Sequence, residues 1–173
     1  MLKLKLLVPF IGLAMIPSAV LPAQAPVAPL PAQILTAKKV FISNAVSEID
    51  LKTWSGGSAQ PYNEFYAAIQ SWGHYEIVAT PGNADLILRL GYFNPITGVI
   101  DHSLCVNNCA VYSPQIRLEL LDPKTSIDLW TIAEKLPAVD KNHRSADANL
   151  VVAIGSLVSD LKVLTAQPAV SAK

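Results

Sequence analysis

From Gln115 to Leu120 the chain alternates polar and apolar residues without a fault. Ile116, Leu118 and Leu120 fall on one side of an extended chain, and Gln115, Arg117 and Glu119 fall on the other. A repeat of two is that of a β-strand, and one wet side marks a sheet covered on its other side. Leu86, Leu88 and Leu90 repeat the pattern. The stretch Asp122-Pro123-Lys124-Thr125-Ser126 is turn chemistry, because proline presets φ and aspartate bonds the backbone ahead of it. It leads into Ile127–Lys135, so these two strands are expected to pair as a hairpin.

The remaining elements follow from the same logic. Lys39–Ser43 is rich in β-branched and aromatic residues and reads as the first strand. A polar loop runs from about Ser47 to Gln60. After Pro61, the residues Tyr62, Phe65, Tyr66, Ile69 and Trp72 share one face of a helix, and Gly73 suits its left-handed end. Tyr75–Thr80 reads as a short strand stopped by Pro81-Gly82-Asn83. From about Ser145, the residues Leu150, Ile154, Leu157, Val158, Leu161 and Leu164 make the apolar stripe of a closing helix, with Asp147 near its start and Lys162 near its end. The expected order is β-α-β-β-β-β-α. That is an α+β fold: a two-layer sandwich of about five strands, mixed or antiparallel, with two helices on one face.

The amino terminus bears on compartment. Lys3 and Lys5 precede an apolar run, Leu6–Ile16, and small residues end at Ala23-Gln24-Ala25. This is the layout of a secretory signal peptide over residues 1–25, and the run is too short to span a bilayer. Pro26 directly follows the expected cut, which leaves open cleavage at Ala23 or an uncut amino-terminal tether. Residues 26–36 hold three prolines and read as an extended linker. The single domain is expected over 37–166, with a frayed tail at 167–173. Without Lys3 and Lys5, 13 basic and 13 acidic residues become 11 against 13. So slight a balance gives no footprint for nucleic acid or anionic lipid. No later run reads as a membrane span, so the mature form is expected to be soluble.

Several short words resemble a known group. Trp72-Gly73-His74-Tyr75 leads to Asn83-Ala84-Asp85-Leu86-Ile87-Leu88; later Asp122-Pro123-Lys124-Thr125 is followed by Leu129-Trp130 and a closing helix. Over about residues 38–165 this resembles the domain of unknown function found in many bacterial envelope lipoproteins. The lipidated cysteine of those lipoproteins is absent here. The resemblance implies a fold and an envelope location, and it carries no catalytic residue.

Candidate sites are few. Cys105 and Cys109, the only cysteines, are expected to form a disulfide closing a small loop in an oxidising compartment. The competing readings are a redox pair, or a metal site in which His102, Cys105 and Cys109 are ligands and Asp101 adds a carboxylate. A hydrolase would need Ser55, Ser58 or Ser103 with His74, His102 or His143, and none sits in a nucleophile elbow. Arg89, Arg117 and Glu119 lie on the wet side of the sheet. Trp130 would face outward in a regular strand and join Arg89 and Arg117 as a contact surface; a bulge would make it structural. No catalytic residue and no cofactor is expected. The expected function is that of an exported binding or scaffolding module whose partner is an envelope protein or cell-wall component. The alternative is a metal-binding or hydrolytic protein using the His102/Cys105/Cys109 loop.

Overall fold

The computed structural model describes residues 29–46, 54–100, 109–137 and 143–167. Its elements are α1 (Ala32–Thr36), β1 (Lys39–Asn44), α2 (Ala59–Trp72), β2 (Glu76–Ile77), β3 (Leu86–Phe93), β4 (Ile96–Ile100), β5 (Cys109–Tyr112), β6 (Gln115–Leu121), β7 (Asp128–Lys135) and α3 (His143–Thr165). Five strands form one mixed sheet in the order β2-β1-β3-β6-β7. β2 and β3 flank β1 in parallel, whereas β3, β6 and β7 run antiparallel in turn. The expected α+β class, the five sheet strands and both long helices are therefore present.

The core lies on one side of the sheet. Val40, Ile42, Leu86, Leu88, Leu90, Ile116, Leu118 and Leu120 are buried there with Phe65 and Ile69 of α2. Leu150, Ile154, Leu157, Val158, Leu161 and Leu164 of α3 join them, so the periodic stripe is the buried stripe. Gly73 ends α2 at φ 66°, where glycine lacks the Cβ that penalises this region, and its N–H donates to the Ile69 carbonyl. From Ser145 to Thr165, α3 is also long and apolar enough to cross a membrane by length and composition, contrary to expectation. Its stripe packs against the sheet instead.

Three other expectations give way. Residues 32–36, read as linker, form α1, and Ile34 is 1% exposed in the core. The three prolines obscured a helix only one turn long. The second strand spans two residues rather than six, because Tyr75 turns into the core and Pro81 opens a 3-10 turn. Finally, the stretch 96–113 is not simply a loop: β4 and β5 pair as a separate two-stranded ribbon. Pro95 and Pro114 interrupt the ladder because neither has an N–H to donate. The expected signal segment and residues 47–53, 101–108, 138–142 and 168–173 lie outside the described residues.

Candidate functional site

The uncovered side of the sheet holds the charged cluster. Arg89 on β3 faces Glu119 on β6, and its Nε donates to Glu119 Oε2 at 2.6 Å. Its Nη2 reaches Asp128 Oδ1 on β7 at 3.2 Å, so one guanidinium ties three strands. Arg117, two register pairs along and on the same side, lies over the Phe93 ring at 4.1 Å from its centroid. Its Nε is buried without a hydrogen-bond partner. Gly91 stands opposite Arg117, and a Cβ there would meet the Phe93 ring at 2.9 Å. The bare glycine thus lets the ring lie back along β3 beneath the guanidinium.

Trp130 is absent from that side. The β6–β7 register shifts between Leu120 and Leu121, so Leu120 pairs with Trp130 while Leu121 pairs with Asp128. Leu129 is the extra residue of the bulge. Opposed residues share a face, so Trp130 lies on the helix side with Leu120 and packs against the core. The structural reading of Trp130 is the correct one. It borders a groove of about 350 Å³ between β7 and α3, with Ile132, Asp160, Val163 and Leu164. Beside this groove Glu134 is partly buried. That burial, then a hydrogen bond that the protonated Glu134 donates to the Asp160 carboxylate and the negative charge of Asp160, pushes the Glu134 carboxyl above the usual range.

A second cleft, about 380 Å³, lies where β1 and β3 begin and β6 turns into β7. Here two of the resemblance-bearing words meet. Gln33 of α1 donates from Nε2 to the Asp85 carbonyl at 2.7 Å and to Asp122 Oδ1 at 3.3 Å. Asp85 Oδ2 accepts the Lys38 and Lys39 amides at 2.9 and 2.8 Å, which hold its carboxyl below the usual range. Asp122 accepts the Lys124 amide and the Thr125 hydroxyl, and these bonds with Gln33 lower it likewise. Both carboxylates are occupied in fixing chain entry and turn geometry. Gln33 carried no sequence signal, since the contact joins residues 52 and 89 positions away.

The structure does not bring Ser55 or Ser58 to His74. Ser55 and Ser58 lie before α2, whereas His74 follows its far end. Fourteen helical residues separate them, roughly 20 Å at 1.5 Å each. His74 stacks on Trp72 at 4.7 Å, and the Ser55 amide donates to Asp147. Asp101, His102, Ser103 and Cys105 lie outside the described residues, as does the side chain of His143. Cys109 opens β5, is exposed and carries no free thiol. No group of three potential metal ligands occurs among the described residues.

No family model and no curated protein matches the chain. Solved structures similar to it include a Xanthomonas campestris protein of the family model DUF330, at 12% identity and TM-score 0.46, covering 78% of this chain and 86% of that one. A minor lipoprotein from Acinetobacter baumannii shares 11% identity at TM-score 0.39, with 75% and 93% covered. An uncharacterised lipoprotein B from Nitrosomonas europaea shares 13% at TM-score 0.33, with 78% and 84% covered.

Proposed function

We propose that this chain is an exported, non-enzymatic envelope domain that binds or scaffolds another envelope component. The open sheet side carries the reading: Arg89, Glu119 and Asp128 on three adjacent strands, with Arg117 stacked on Phe93, form a fixed polar surface that no described helix covers. Such a surface is pre-ordered by the sheet, so binding does not have to freeze its side chains. The basic and apolar start of the chain supports export, and a disulfide between Cys105 and Cys109 would suit an oxidising compartment. The partner is an envelope protein or a cell-wall component. Passage of an envelope extract over the immobilised domain tests this. The wild-type chain is expected to retain a component that the Arg89→Ala/Arg117→Ala variant does not. Equal retention by both, or measured turnover of an envelope-derived substrate, would overturn the reading.

A further inference from the structure

The open side of the sheet divides into two halves of different charge. In one half the Arg89 guanidinium faces two carboxylates, Glu119 and Asp128, so an acid is left in excess. In the other half, where β3 leads into β4, the residues on that side are Gly91 and Phe93 of β3, Gln115 and Arg117 of β6, and Ala133 and Lys135 of β7. None of these is acidic. Among the described residues no carboxylate pairs with Arg117 or with Lys135.

Arg117 is held in place by its neighbours. Its guanidinium lies on the Phe93 ring, and the ring keeps its position because Gly91 has no Cβ to oppose it. Directly opposite Arg117 on the two adjacent strands stand Gly91 and Ala133. Neither carries more than a methyl group, so neither screens the cation from above. No described residue accepts a hydrogen bond from any of its five donors. Lys135 opposes Gln115, is exposed, and lies diagonally across from Arg117. Diagonal positions of this kind are about 7–8 Å apart. Carboxylates on alternate residues of an extended segment share one side of it, roughly 6.6 Å apart at about 3.3 Å per residue.

We propose that this half of the sheet side receives a short, extended acidic segment of a partner protein. One carboxylate meets Arg117 and a second, two residues along, meets Lys135. The inference rests on the binding role given above to the open side, and it names the chemistry of the partner. Charge complementarity carries it: two fixed positions hold cations with no counter-charge of their own, and the planar guanidinium fits a carboxylate. A continuous polyanion fits less well. A lipid surface would lay its next charges over Glu119 and Asp128, which share that side.

The probe is a capped peptide in which glutamate alternates with valine. At millimolar concentration it is expected to shift the Arg117 Nε–H resonance of the isotope-labelled chain, and added salt should weaken it. The same peptide with glutamine in place of glutamate should bind about fivefold more weakly or worse. Arg117→Gln and Lys135→Gln should each weaken the acidic peptide about twofold to fivefold, and Arg117→Lys, which keeps the charge without the planar fork, should recover part of that loss. Equal binding of the two peptides, or no shift at Arg117, overturns the inference. So does tighter binding to phosphatidylglycerol vesicles or to soluble cell-wall fragments than to the acidic peptide. If the peptide fails while the immobilised chain still retains an envelope component, this inference alone falls; if neither binds, the binding role of the open side falls with it.

Discussion

Replacing Ile34 by alanine probes whether α1 belongs to the cooperative fold. The side chain is 1% exposed and sits in the core with the faces of β1 and α3. The substitution deletes three carbon atoms, about 2.4 kcal/mol at about 0.8 per buried carbon. A residual cavity raises such losses toward about 4 kcal/mol when the site cannot collapse. Here the wall is a five-residue helix fastened otherwise by the Gln33 bonds, so the cost is limited by whatever holds α1 down. The expected loss is about 2–4 kcal/mol in urea unfolding, followed by the fluorescence of Trp54, Trp72 and Trp130. Thr36→Ala, at an exposed position on the same helix, should cost under about 0.5 kcal/mol. A loss from Ile34→Ala below about 1 kcal/mol, no larger than that control, would refute the claim that residues 32–36 are part of the domain.

Three other outcomes are expected. Tyr75 is buried with a hydroxyl that lacks a partner, and burial pushes its pKa up to about 12. Tyr75→Phe should therefore stabilise the domain, by about 1 kcal/mol, in thermal unfolding at pH 7. The wild type should lose stability as pH rises from the ordinary tyrosine value through about 12, and the variant should not. Glu134 has a raised folded pKa, so the folded state carries a penalty at neutral pH that is relieved as pH falls through that value. Glu134→Gln should stabilise by about 0.2–1 kcal/mol at pH 7 and be neutral near about pH 3, as melting temperatures would show. Asp85 and Asp122 have lowered folded pKa values, so their contribution is present above the ordinary carboxylate range and lost as pH falls through the lowered ones. Asp85→Asn should flatten the acid limb of the stability profile, and an unaltered limb would contradict that role.

How much of this could be read in advance differs from element to element. The stripe from Leu150 to Leu164 and the alternation at 115–120 were legible because each is a local period that one buried face imposes on its own element. Trp130 was not. A single extra residue at Leu129 inverts the parity of everything before it, and no local pattern marks where a strand absorbs that residue. The Arg89–Glu119 pair was legible as two residues on one side. Its third member, Asp128, came within reach only through the same bulge.

By itself the sequence determined the class of fold, the buried faces of both long helices, and the turns at Pro81-Gly82-Asn83 and Asp122–Ser126. These follow from periodicity and from residues whose backbone preferences act over a few positions. Tertiary structure decided that residues 32–36 are part of the domain and that Trp130 faces the core. It also paired β4 and β5 as a separate two-stranded ribbon. Each of those outcomes depends on register or on contacts between segments far apart in the chain, and such contacts are set only when the whole sheet is assembled.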